Sequence, residues 1–196
     1  MTDRESYSDR QPAASVVVPV YNKASHLKAC FDCLERQTIS KSDLEVLLID
    51  DGSTDESLAL CEAFAAERPW VRVVAQPNAG VSEARNAGIR AARGRYLFFL
   101  DPDDSLSPET LENVSKFFES CPDEVELATY PIVSIREGKR QRLHHRYDVL
   151  RETGIYDLTL PENATIAQAT MNVAVRNRFD GNVLFDFAPE IGRAHV

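Results

Sequence analysis

The sequence predicts an α/β fold: a mostly parallel sheet with helices on both faces. Three observations carry this. Short β-branched or aliphatic runs alternate with amphipathic segments from residue 15 to residue 130, the order expected of a parallel sheet. The links between them are short. Two acidic clusters, Asp50-Asp51 and Asp101-Pro102-Asp103-Asp104, each follow the last apolar residue of a run. Both clusters therefore fall on the carboxyl edge of one sheet, where such folds bind ligands.

Residues 15–20 (SVVVPV) suit a buried strand, with Pro19 near its end, where one amide can be lost. A helix over 25–37 follows, with Leu27, Cys30, Phe31 and Leu34 on one stripe. Residues 44–49 (LEVLLI) form the second strand and run into Asp50-Asp51-Gly52-Ser53-Thr54-Asp55. Ser53 and Glu56 fit a capping box that opens a helix through residue 67. The third strand is 71–75. Residues 81–93 are Ala-rich and helical, with Gly94 as the C-terminal stop. The fourth strand is 95–100 (RYLFFL). Ser107 and Pro108 fit N-cap and N1 of a helix through residue 118, and 124–130 is the fifth strand. Beyond it, residues 132–135 and 141–147 can form a hairpin around Glu137-Gly138, while 153–187 is weakly periodic.

At 196 residues the chain allows one domain, or one domain plus a fragment, and can bury a real core. With 43% hydrophobic and 27% charged residues it is neither disordered, collagen-like nor disulfide-stapled. The formal charge of −9 argues against nonspecific binding to nucleic acid or anionic lipid. A phosphate-bearing ligand would need local neutralisation, by a metal or by a few placed Arg. No apolar run approaches the ~20 residues of a membrane span, and residues 1–14 lack the pattern of a secretory signal. Cys30 and Cys33 form a CxxC that lies inside the predicted first helix rather than at its N-terminus. That placement reads as small apolar core residues rather than as a redox pair.

The cluster Asp101 to Asp104 has two readings. Alternating carboxylates at a strand tip can point at one hard cation, Mn²⁺ or Mg²⁺, which would take two diphosphate oxygens. The other reading is a turn plus a helix cap. At the second strand tip, Asp50 or Asp51 can accept a hydrogen bond from a base or ribose, while Ser53 and Asp55 are accounted for by capping. Asn78-Ala79-Gly80 precedes a helix whose start suits an anion. Arg85 can meet a phosphate or base there, or be a solvated helix charge. His144-His145 with Arg140, Arg142 and Arg146 reads as a solvated hairpin edge, with acceptor binding as the other reading. GxGxxG after the first strand and GxxxxGK[ST] are both absent from the sequence.

Five segments in order resemble family 2 glycosyltransferases, which have the GT-A nucleotide-sugar-binding fold. They are Val16-Val17-Val18-Pro19-Val20-Tyr21-Asn22, Leu48-Ile49-Asp50-Asp51-Gly52-Ser53-Thr54-Asp55, Asn78-Ala79-Gly80, Ala84-Arg85-Asn86-Ala87-Gly88 and Tyr96-Leu97-Phe98-Phe99-Leu100-Asp101-Pro102-Asp103-Asp104. The resemblance implies nucleotide contacts from Pro19, Tyr21, Asp51, Asn78 and Arg85. It makes Asp101 and Asp103 the DxD pair for Mn²⁺ or Mg²⁺, with Asp103 the more direct ligand. The implied reaction moves a sugar, with inversion, from a nucleotide-diphosphate donor such as a UDP-sugar to an acceptor hydroxyl. The implied setting is polysaccharide or cell-envelope glycan synthesis in the cytoplasm or at the inner face of the membrane. The acceptor, whether a glycan, a lipid-linked chain or a protein, is not named by the sequence.

On this resemblance, residues 15–130 form the nucleotide-sugar-binding half and 131–189 an incomplete acceptor side, with 1–14 a disordered tail. The family's general base sits in a later acidic motif. Here Val183-Leu184-Phe185-Asp186 resembles the segment before it, and no Glu-Asp pair follows, so the base is unassigned. Residues 190–196 match the translation of GAGATCGGAAGAGCACACGTC, which contains the start of a common sequencing adapter. They are expected to be a non-native tail on a truncated frame. Two other functions compete. A nucleotide-binding module without catalysis fits the missing base. A haloacid-dehalogenase-type phosphohydrolase is suggested by Leu100-Asp101-Pro102-Asp103-Asp104-Ser105, although its motif normally opens the first strand and here closes the fourth.

Overall fold

A computed structural model describes residues 11–123, 125–130, 135–136, 139–140 and 173–178. In chain order the elements are β1 (Ala14–Val20), α1 (Ala24–Glu35), β2 (Leu44–Asp50), α2 (Ser57–Ala66), β3 (Val71–Ala75), α3 (Val81–Ala91), β4 (Tyr96–Phe99), α4 (Thr110–Ser120), β5 (Leu127–Thr129), β6 (Ile135–Arg136), β7 (Lys139–Arg140) and β8 (Val173–Arg176). Six strands pair in the order β3-β2-β1-β4-β8-β5. The four from β3 to β4 are mutually parallel, and β8 runs antiparallel between β4 and β5. The α/β expectation of a mostly parallel sheet is what the chain adopts.

β1 sits at the centre, and every one of its residues is buried. Side chains alternate between faces along a strand, and the core divides accordingly. Val16, Val18 and Val20 pack with Leu27, Cys30 and Leu34 of α1, Cys61 and Phe64 of α2, and Leu111 and Phe118 of α4. Val17 faces the other way, with Leu47, Ile49, Leu97 and Phe99, against Ala84 and Ile89 of α3. Among the described residues, helices thus cover both faces, three on one and one on the other. Each fully buried Val, Leu or Phe contributes about 1.5–3 kcal/mol relative to exposure. α3 lies close to the sheet because a Cβ on Gly88 would stand 2.2 Å from Val17 Cγ1.

Several local expectations need correction. β1 opens at Ala14, inside the segment read as tail, because the Ala13 amide already bonds the Asp43 carbonyl. The Ser53–Glu56 capping box does not form. α2 starts at Ser57, whose amide is bonded by Asp55 Oδ1 at 2.9 Å, while the Ser53 hydroxyl is turned to another loop. α4 starts at Thr110 rather than after Ser107, because a turn bonds the Thr110 amide to the Ser107 carbonyl. Gly94 does not stop α3, which ends at Ala91. A Cβ at Gly94 would instead fall 2.6 Å from the Ser15 amide, so its smallness serves strand packing. β8 lies in the stretch read as weakly periodic. Ile135–Arg136 and Lys139–Arg140 pair antiparallel as β6 and β7, shifted from the strands expected at 132–135 and 141–147, whose remaining residues fall outside the described ones.

The CxxC is a core feature. Cys30 and Cys33 are buried free thiols on α1. Burial first, then the nearby Cys33, pushes the Cys30 thiol up to about 12, so it stays protonated and inert. Cys33 Sγ bonds the backbone of Leu106, tying α1 to the link before α4.

Candidate functional site

Register aligns the carboxyl ends of four strands. Val20 is opposite Asp50, Asp50 is opposite Ala75, and Val17 is opposite Phe99. The loops leaving these tips surround a cavity of about 480 Å³. Its walls are Pro19, Val20, Tyr21 and Lys23 from the first tip, Asp51 from the second, Asn78, Gly80 and Val81 before and at the start of α3, and Asp101, Pro102 and Asp103 from the fourth.

The loop after β1 is clasped onto the loop after β2. Asn22 holds a left-handed backbone, φ 51°, which Asn tolerates better than most residues. Its side-chain oxygen accepts from the Thr54 amide at 2.8 Å and from the Asp55 amide at 3.3 Å. In return the Ser53 hydroxyl accepts from the Asn22 amide at 3.1 Å. The Lys23 amide donates to Ser57 Oγ and the Ala24 amide to Asp55 Oδ2. This clasp fixes Tyr21 and Lys23, on either side of Asn22, along the cavity wall.

Asp51 organises the third loop. Its Oδ1 accepts from Gln76 Nε2 at 2.7 Å and the Ala79 amide at 2.9 Å, and its Oδ2 from the Gly80 amide at 2.8 Å. A carboxylate offers about four lone-pair sites, so one remains on Oδ2. The next residue, Gly52, has φ +73°, and a Cβ there would sit 2.7 Å from the Asn78 amide. Only glycine meets both conditions. Asp50 is buried, accepts from the Ser53 amide at 3.2 Å, and leaves Oδ1 without a partner in the structure.

At the fourth tip two carboxylates meet two cations. Arg85 Nη2 of α3 donates to both oxygens of Asp101, at 2.8 and 3.1 Å. Lys23 Nζ donates to Asp103 Oδ2 at 2.6 Å, and this bond above all holds the Asp103 carboxyl below its usual range. Burial, then the charges of Asp103 and Asp101, raise Asp104 to about 6. Three carboxylates on one turn thus exceed the cations beside them. An excess of hard oxygen donors at a strand tip fits Mg²⁺ or Mn²⁺. Among the described residues no group of three or more His, Cys, Asp or Glu is arranged to enclose a metal, so a cation here would need oxygens from its ligand. The turn reading of this cluster holds, since the Asp104 amide bonds the Asp101 carbonyl. The cap reading does not, because α4 begins at Thr110.

Of the residues singled out in the sequence, Pro19, Tyr21, Asp51, Asn78, Asp101 and Asp103 line one cavity. Arg85 stands behind Asp101 rather than on the wall. Glu83 pairs with Arg90 along α3, as a solvated helix charge would. His144, His145 and Asp186 lie outside the described residues. Sequence reasoning missed Lys23, Asn22 and Val81. The signal for Lys23 was available: it lies three residues past a strand tip, on an edge otherwise crowded with Asp.

Comparison with known proteins agrees with the geometry. The model of "Glycosyl transferase family 2" matches residues 15–180. The chain is 40% identical over 145 residues to the minor teichoic acid biosynthesis protein GgaB of Bacillus subtilis, covering 74% of this chain and 16% of that protein. It is 38% identical over 114 residues to the hyaluronan synthase of Pasteurella multocida, covering 58% of this chain and 12% of that protein. Among solved structures, Staphylococcus aureus TarS 1–349 in complex with UDP superposes with a TM-score of 0.70 at 23% identity, covering 84% of this chain and 46% of TarS 1–349. The mannosyltransferase PcManGT of Pyrobaculum calidifontis, in complex with GDP-Man and Mn²⁺, gives 0.56 at 22% identity, covering 65% of this chain and 41% of PcManGT. These two likenesses bear on the fold, which is GT-A. The chain spans about a sixth or less of the curated relatives named here.

Proposed function

Because the chain belongs to glycosyl transferase family 2, we propose that its cavity binds a nucleotide-diphosphate sugar and serves transfer of the sugar, with inversion, to an acceptor hydroxyl. One observation carries this reading. Four strand tips bring two paired Asp, a third Asp with a spare lone pair, and an exposed Tyr to the walls of one cavity.

In this reading Tyr21 and Pro19 flank the base, and the free lone pair of Asp51 accepts its ring N–H. Asn78 and the amide-rich start of α3 line the ribose and phosphate side. Asp103 and Asp101 hold Mn²⁺ or Mg²⁺. When bound, such a cation takes diphosphate oxygens and stabilises the nucleoside diphosphate as a leaving group. Arg85 fixes Asp101 in its rotamer. Transfer also needs a carboxylate to deprotonate the acceptor, a contribution of roughly 10²–10⁴ in rate. The proposal assigns none of the described residues to that role. The phosphohydrolase reading has no such support: Asp101 closes the fourth strand and is engaged by Arg85. The relatives' names point to envelope or extracellular polysaccharides as the acceptor class.

A melting-temperature panel tests the reading. UDP, GDP, CDP and TDP are each added with Mn²⁺ or with EDTA. A ligand bound only by the native state adds about 2.7 kcal/mol at a hundred times its Kd. We expect one nucleotide, UDP, to raise Tm with Mn²⁺ and to lose most of that shift in EDTA. No shift with any of the four, at millimolar ligand, contradicts it.

A further inference from the structure

Lys23 is the one cation among the described residues that line the cavity. It is held from both sides. Its amide donates to Ser57 Oγ at 2.9 Å, and Asn22 before it is clasped to Thr54 and Asp55. Its Nζ donates to Asp103 Oδ2 at 2.6 Å, across 80 residues of chain. The ammonium thus occupies the place of a positive charge on the carboxylate proposed to bind the metal. The two ion pairs at this tip differ in accessibility. The Arg85 and Asp101 side chains are 11% and 25% exposed, whereas Lys23 and Asp103 are 34% and 45% exposed. The Arg85 pair is also doubly bonded and the Lys23 pair singly. The Lys23 pair is therefore the one that can open.

We infer that Lys23 is an exchangeable cation: it neutralises Asp103 in the empty site, yields that carboxylate to the divalent metal, and then binds the diphosphate of the donor. This rests on the reading of the site given above. A flexible stem with a compact ammonium suits the exchange. A metal on Asp103 would repel the neighbouring ammonium, and a diphosphate bound beside that metal would offer it a new anion to engage, in addition to the nearby Asp104 carboxylate. The consequence is a signed pair of effects. Lys23 opposes binding of metal alone and favours binding of nucleotide once metal is present. The two ligands are therefore coupled positively through one side chain.

Calorimetry on Lys23→Met and Lys23→Gln tests this, with Mn²⁺ alone and with UDP at saturating Mn²⁺ as the probes. Both variants keep the stem and the backbone bond to Ser57. Without its competitor, Mn²⁺ alone should bind about two- to fivefold tighter, the scale of a half-exposed ion pair. UDP with Mn²⁺ should bind about tenfold or more weakly, the scale of a lost charge-assisted hydrogen bond. Unchanged or weaker binding of Mn²⁺ alone overturns the competition. Unchanged UDP affinity overturns the contact with the diphosphate. If the parent chain itself fails to bind UDP with Mn²⁺, the failure lies in the reading of the site rather than in Lys23.

Discussion

Asp51 shows how one side chain carries two demands. It follows a fully buried strand, and its sequence position suits base recognition because Ser53 fits the helix cap by spacing. In the structure three donors from residues 76–80 converge on it. Asp51→Ala should therefore do more than weaken nucleotide binding. It removes the hydrogen bonds that tie the exposed Ala79 and Gly80 to a buried carboxylate, each worth about 0.5–1.5 kcal/mol where water can replace the partner. The expected outcome is a lower urea midpoint in the absence of ligand, together with weaker UDP binding. An unchanged apo midpoint would show that the loop finds other partners and that Asp51 serves ligand alone.

Among the elements, the amino edge of the sheet is held by charge as the carboxyl edge is shaped by it. Glu45 of β2 is fully buried. It accepts from Ser15 of β1, Arg72 of β3, and both the amide and the side chain of Arg93 after α3. Burial raises its carboxyl, but those hydrogen bonds outweigh burial and leave it below its ordinary value of 4.5. Below that value the unfolded chain binds more protons than the folded one, so stability rises with pH through that window and is lost as pH falls. Glu45→Gln should cost about 1.5–3 kcal/mol at neutral pH, the range for charge-assisted bonds. Its stability should then fall less steeply than the parent's between pH 5 and 3 (a window placed by that ordinary value). Parallel acid limbs in chemical-denaturation curves would assign the parent's acid loss to other groups.

The sequence revealed elements in proportion to how local their causes are. Strands β1 to β4 and the helices between them were legible, because a buried parallel strand needs an apolar run and a surface helix needs a stripe. Their ends were less so. Ser53 fits a cap by spacing, but the tertiary clasp with Asn22 takes its hydroxyl. Gly94 looks like a helix stop, but Ser15, some eighty residues earlier, determines it. β8 was invisible because four residues, VAVR, gain their meaning only from the β4 and β5 edges they join. There Arg176 bonds the carbonyls of Phe118, Pro122 and Val125 around the end of α4. In the site, the acidic residues were readable because carboxylates at strand tips are unusual. Arg85 was readable as a candidate, but its pairing with Asp101, like that of Lys23 with Asp103, was not, since pairing across loops leaves no mark on local sequence.

At the scale of the molecule, a chain of net charge −9 presents a cavity whose walls carry three Asp and one Lys. Such a cavity repels a bare diphosphate and admits one that arrives with, or after, a divalent cation. The account therefore stands on metal dependence seated at Asp103. The most direct measurement is titration of UDP into the parent and into Asp103→Asn, each with Mn²⁺ and with EDTA. The Lys23 pair is half-exposed, so its loss should shift apo stability by no more than about 1 kcal/mol and the variant should fold. We predict that Mn²⁺ tightens UDP binding strongly in the parent and little in Asp103→Asn. Equal UDP affinity in Mn²⁺ and EDTA for the parent, or full metal dependence retained in Asp103→Asn, would contradict the account.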